Sequence, residues 1–143
     1  MTKSLGTRLG VALIATLGLT ASGVASAAYY ERESPAPHQT TFIKTANGKV
    51  TDLRIFHSLT CNKGAAKEFG YVQGKTDLRI RDGRFRLNNP TMGFDLAGRV
   101  TPDRVRVWFR RSYSDLERPS RYCWTGRSQQ RSWISFIVPR VRR

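Results

Sequence analysis

Leu78-Arg79-Ile80-Arg81-Asp82-Gly83-Arg84-Phe85-Arg86-Leu87 alternates apolar and arginine residues on both sides of a central Asp-Gly. A period of two is the pattern of a strand with one buried face. Asp-Gly between two such arms signals a two-residue turn, because both central residues of a type I′ turn take positive φ. The stretch therefore reads as a β-hairpin with Ile80 across from Phe85 and Leu78 near Leu87 on one face. The other face is all arginine, with Arg81 opposite Arg84 and Arg79 opposite Arg86. Like charges facing each other across strands destabilise a sheet. That cost raises the expectation that the face meets something anionic.

Towards the C-terminus, Asn88 to Gly93 has the composition of a loop. Phe94, Leu96 and Val100 then share one parity, with Gly98 between them marking a bulge or a close backbone approach. After the turn Thr101-Pro102-Asp103-Arg104 comes the clearest strand. Val105, Val107 and Phe109 line one side of it, and Arg104, Arg106, Trp108 and Arg110 line the other. Ser114 to Ser120 is a polar loop, Tyr122-Cys123-Trp124 a short strand, and Gly126 to Ser132 a basic loop. Trp133 to Val138 is the last strand, with Pro139 expected to end it.

Towards the N-terminus, Tyr71-Val72 makes a brief strand stopping at Gly74, and Asn62 to Phe69 reads as a loop or a single helical turn. Val50 to Cys61 puts Leu53, Ile55, His57, Leu59 and Cys61 on one parity. Asn47-Gly48 is a second hairpin signal, joining it to a strand at Thr40 to Lys44. About eight short strands, turn signals between them and no amphipathic helix predict an all-β fold, an antiparallel β-sandwich or barrel.

The 143 residues carry a formal charge of +15 and suit one domain. Lys3 and Arg8 precede the apolar run Leu9 to Ala21, and Ala25-Ser26-Ala27 is an Ala-x-Ala site, so 1–27 reads as a Sec-type bacterial signal peptide cleaved after Ala27. No cysteine follows the run to accept a lipid, and no later segment is long enough to span a membrane as a helix. The expected product is secreted or held in the cell envelope. Residues 28–39, with Pro35 and Pro37, read as a flexible leader in which Tyr29-Tyr30 has the means to dock on the core. A single β domain is expected over 40–139, and 140–143 reads as a basic tail. Cys61 and Cys123 are the only cysteines, and in an oxidising compartment they read as one disulfide.

The order of these features resembles that of small exported bacterial single-disulfide β-proteins of no assigned function. The matching stretches are Asn47-Gly48-Lys49-Val50, Cys61, Asp82-Gly83-Arg84-Phe85, Leu96-Ala97-Gly98-Arg99-Val100 and Cys123-Trp124-Thr125-Gly126 with Trp133. The resemblance implies a sandwich-like fold with a Cys61 to Cys123 bond, and it supplies no catalytic residue.

The chemistry the residues offer is anion binding. Arg79, Arg81, Arg84 and Arg86, with Arg104, Arg106 and Arg110 around Trp108, form a grid if their strands share a sheet. The guanidinium fork suits phosphate and carboxylate. The partner classes are an anionic envelope polymer, an acidic lipid or extracellular nucleic acid, the last because an aromatic among arginines stacks bases. No cofactor and no metal site is expected, since two histidines and a disulfide lack the close spacing zinc needs. Hydrolase elbows, phosphate-cradling loops and calcium loops are absent from the sequence.

Three functions follow. The first is a non-enzymatic basic domain that binds anionic surfaces or polymers. The second is a structural or interaction protein whose arginine content reflects a GC-rich genome. The third is a nuclease-like hydrolase using His57 as general base, with Glu68 or His38 as acid. Against the third, the parity of His57 with Ile55 and Leu59 predicts a buried ring. Trp108, Trp124 and Trp133 would make a sugar platform only if exposed together.

Overall fold

The computed structural model describes residues 27–34, 39–63, 67–114, 120–126 and 132–142. Nine antiparallel strands and no helix are present among them: β1 (Ala28–Glu33), β2 (Thr40–Ala46), β3 (Lys49–Cys61), β4 (Lys67–Arg79), β5 (Arg84–Asn89), β6 (Phe94–Val100), β7 (Arg104–Ser114), β8 (Tyr122–Trp124) and β9 (Ile134–Val141). They pair in the order β4-β3-β2-β1-β9-β7-β6-β5, and β8 pairs with both β3 and β7. The ring β3-β2-β1-β9-β7-β8 closes into a six-stranded barrel, with β4, β5 and β6 outside it. Of the two expected all-β architectures, the barrel is the one formed.

Parity decides what is inside. Ile43, Val50, Leu53, Ile55, Phe85, Leu96, Val105, Val107, Phe109 and Val138 are buried in one cluster, against which Leu78, Ile80 and Leu87 pack. The outer strands present the same face to this core as the ring does.

The Asp82-Gly83 turn forms as expected, with φ of 50° and 70° at its two residues. The hairpin arms do not. Only Arg81 and Arg84 bridge, after which β4 pairs with β3, placing Arg79 across from Lys49 and Leu78 across from Val50. β5 pairs with β6, which sets Arg86 beside Ala97 rather than Arg79. Neighbouring turns hold the arms apart: the Ile80 amide donates to Gly48 O at 2.8 Å, and the Val100 amide to Gly83 O at 2.7 Å. Each arm finds a longer ladder elsewhere, so local pairing loses to tertiary pairing.

The reading of 28–39 as a flexible leader is corrected. Its first half is β1, a member of the ring, with Tyr30 only 2% exposed and its hydroxyl donating to Thr101 O at 3.0 Å. Burial raises the Tyr30 pKa above the usual phenol value. Nor do two fragments flank Gly74, since β4 runs unbroken from Lys67 to Arg79.

The expected tail and stop are also revised. Pro139 lies within β9, across from Arg104, and Arg140 and Val141 pair with Tyr30 and Tyr29. The Arg140 amide donates to Asp103 O on the β7 side at 2.8 Å, so the Pro139 nitrogen faces β1. The β1–β9 ladder stops at Tyr30↔Arg140, one residue short of the proline, where no N–H would be available. The expected signal peptide lies outside the described residues apart from Ala27.

The Cys61–Cys123 disulfide is formed and joins residues paired across β3 and β8. β8 has three residues, and neighbouring bonds hold it in place. The Thr125 amide donates to Arg111 O at 2.9 Å, the Arg111 amide donates to Thr125 Oγ1 at 3.0 Å, and Thr60 Oγ1 donates to Gly126 O at 2.8 Å.

Candidate functional site: an arginine face on the outer strands

The outward parity of β5, β6 and β7 carries rows of side chains that cross the sheet. The first is Arg84, Arg99 and Arg106, paired in register from strand to strand. Adjacent strands lie about 4.8 Å apart. All three arginines are exposed, and among the described residues none has an acidic partner within salt-bridge distance. The second row is Arg86, Ala97 and Trp108. Arg79, at the end of β4, and Arg81, just beyond it, reach the same surface and join Arg84, Arg86, Ala97, Arg99 and Trp108 in lining an open depression of about 680 Å³, with Arg106 beside it.

Local structure explains how closely β5 and β6 lie together here. Phe85 faces the core across from Gly98, and a Cβ at Gly98 would lie 2.1 Å from the Phe85 ring. Glycine there is the close approach the sequence signalled. It lets β5 and β6 lie together over a large ring.

The two ends of the face are neutralised. Arg110 donates from Nε to Asp95 Oδ2 at 2.6 Å. The Asp95 side chain is fully buried and also accepts from Asn88 Nδ2. The Arg110 guanidinium lies over the Trp133 ring, 4.6 Å from its centroid. A buried carboxylate needs such a partner, so Arg110 holds the sheet together. At the other end Arg104 sits 3.2 Å from Asp103. The Asp103 carboxyl is held below its usual pKa, chiefly by the Thr101 hydroxyl, with Arg104 contributing.

The expected grid is therefore gathered as to Arg79, Arg81, Arg84, Arg86, Arg106 and Trp108, with Arg104 at its margin and Arg110 committed elsewhere. Sequence reasoning missed Arg99, the centre of the first row. Its signal was available: Arg99 has the parity opposite to Leu96 and Val100, which places it outward beside Ala97.

His57 lies elsewhere. Its ring is buried among core side chains, 4.6 Å from Phe109, with Nδ1 3.4 Å from Ile55 O and Nε2 without a hydrogen-bond partner among the described residues. Burial, aided by the nearby Arg111 charge, lowers its pKa from 6.5 to about 4. Phe109 points inward from β7 and Trp108 outward, so the thickness of the sheet separates His57 from the arginine face. Arg111, also of inward parity, donates to Tyr71 O at 3.3 Å. Burial lowers its pKa. The side chain of Glu68 and the whole of His38 lie outside the described residues. Trp124 is buried at 4% exposure, so the three tryptophans do not form one platform.

Among the described residues no group of His, Cys, Asp and Glu is arranged to hold a metal ion, and no helix is long and apolar enough to cross a membrane. No family model, no curated protein and no solved structure matches this chain.

Proposed function

We propose that this chain is an exported, non-enzymatic domain that holds an anionic polymer or surface against the arginine face of β5, β6 and β7. The observation that carries the reading is the row Arg84–Arg99–Arg106, three exposed guanidinium groups in register on adjacent strands with no carboxylate between them. Such a row costs stability in the free protein. A phosphate or carboxylate polymer lying across it would relieve that repulsion and release its own counterions.

Export is supported by the Lys3 and Arg8 n-region, the apolar run and the Ala-x-Ala site. It is also supported by the position of β1. The first described strand begins at Ala28, the residue after the expected cleavage point, so cleavage there would leave all nine described strands on the exported product. The burial of His57 on the far side of the sheet gives no support to the hydrolase reading.

Retention on an immobilised sulfated polysaccharide as salt is raised tests the proposal. The wild type is expected to elute late, and a variant with Arg84→Ser, Arg99→Ser and Arg106→Ser early. Equal elution of the two, with both folded, would remove this face from the account.

A further inference from the structure

The second row of the arginine face has a shape that its charge does not require. Ala97 lies between Arg86 and Trp108, so the two larger side chains stand two strands, about 10 Å, apart. The one side chain between them in the row is the Ala97 methyl group. Trp108 is half-buried, and the Arg106 guanidinium lies 6.0 Å from its ring centroid. The floor of the depression is thus apolar and recessed, and its rim is cationic.

A simple polyanion would use the rim and leave the floor in water. A bilayer would rest on the arginine tips above it. A ligand that fills both parts has a flat apolar ring to insert over Ala97 against Trp108, and phosphates on either side of that ring to meet Arg84, Arg99 and Arg86. Resting on the reading given under Proposed function, we infer that the polymer this face takes is a single-stranded nucleic acid, one base entering the slot between Trp108 and Arg86. Base stacking on an aromatic ring tolerates any base, and flanking arginines track the backbone. The slot has one aromatic wall, so it selects single strands whose bases are free to enter over duplexes whose bases are already stacked.

The test measures binding of fluorescent oligo(dT) to the full chain as it is exported, against three competitors: long-chain polyphosphate, duplex DNA of the same length and vesicles of phosphatidylglycerol. Oligo(dT) is expected to bind at least tenfold more tightly than the duplex and to outcompete polyphosphate at equal phosphate concentration. The logarithm of affinity should fall with the logarithm of salt concentration by about 0.7 per phosphate contacted.

Trp108→Ala should weaken oligo(dT) about tenfold and leave polyphosphate binding unchanged. Ala97→Leu keeps every charge and the tryptophan but fills the slot, and it should have the same selective effect. This second variant keeps the inference falsifiable if Trp108→Ala fails to fold. If oligo(dT) and polyphosphate bind alike and Ala97→Leu alters neither, the slot has no part in binding and the inference is overturned, while the anionic-polymer reading stands. Tighter binding to the vesicles than to oligo(dT) overturns it as well. Failure of all four probes to bind at low salt overturns both readings.

Discussion

Two outward surfaces of the same sheet treat positive charge in opposite ways. On β1 to β4, cations and aromatic rings alternate. Lys44 lies over both Tyr29 and Phe42, Arg54 over both Phe42 and Phe56, and the Phe56 and Tyr71 ring centroids are 5.4 Å apart. Lys44 also meets Asp52 at 3.7 Å, and Arg54 donates to Gln73 at 2.7 Å. Every cation in that ladder has a partner. On β5 to β7, Arg84, Arg99 and Arg106 have one another as cross-strand neighbours, and only Arg106 of the three also has a ring, that of Trp108. The comparison teaches that composition does not distinguish a charge used to cover a sheet from a charge left available. Cross-strand register makes that distinction.

The largest expected effect concerns the strand that joins the two surfaces. β8 bridges β3, which carries part of the ladder, to β7, which carries part of the arginine face. Replacing both Cys61 and Cys123 by serine frees a loop spanning 62 residues and should cost about 4 kcal/mol on the chain-entropy model, read as a lower midpoint in denaturant. A loss under 1 kcal/mol would show that the hydrogen bonds of β8 close the ring without the disulfide.

Acid should act next, through the interior that both surfaces cover. The folded His57 pKa is about 4, below the ordinary 6.5, so the unfolded chain takes up its proton first. The stabilisation is complete above pH 6.5, falls as pH drops towards 4 and is gone below it, a total of at most about 3 kcal/mol. His57→Gln should flatten this part of the stability profile, and a profile unchanged by that substitution would mean the ring titrates normally in the fold.

Gly98→Ala should cost about 1 to 3 kcal/mol, because the Phe85 ring must move to admit the new methyl group. Thermal unfolding reads that loss. The damage is expected on the β5–β6 side, with amide exchange accelerated there and little changed in β2 and β3. Uniform acceleration would show that the two surfaces unfold as one unit.

The smallest expected change in stability is also the most direct test of the contrast. Single Arg84→Ser, Arg99→Ser and Arg106→Ser changes should each raise stability by up to about 1 kcal/mol, since each removes a like-charge neighbour. Together they should weaken retention on a polyanion about a hundredfold, at about 1 kcal/mol for each cation near an anionic surface. Lys44→Ser and Arg54→Ser should do the reverse, lowering stability by about 0.5 to 1 kcal/mol each through lost cation–π contacts, with retention nearly unchanged. Effects of the same sign on both surfaces would erase the distinction.

Local rules were a good guide to which way side chains point. Leu78, Ile80, Phe85 and Leu87 turn to the core and Arg79, Arg81, Arg84 and Arg86 to solvent, because alternation is a property of the extended backbone itself. The positive φ at Asp82 and the glycine under Phe85 were legible for the same reason, each being a local steric requirement. The Asn47-Gly48 hairpin and the Arg81–Arg84 bridge were legible too, but strand partners beyond the turns were not. The β4 and β5 arms separate because β3 and β6 offer longer ladders. Arg99 escaped notice because its neighbours in the row come from strands on either side of it in space.

What the sequence by itself determined is the class of the fold, the direction of each side chain from its strand and the pair of cysteines able to join. Tertiary structure alone decided that Ala28 to Glu33 is a barrel strand and that Arg110 belongs to a buried aspartate. It also decided that Arg84, Arg99 and Arg106 stand in one row. The physical reason is that direction follows from the chain's own dihedral angles, whereas adjacency follows from which distant strand supplies the unpaired amides and carbonyls with the most hydrogen bonds and the apolar face with the best cover.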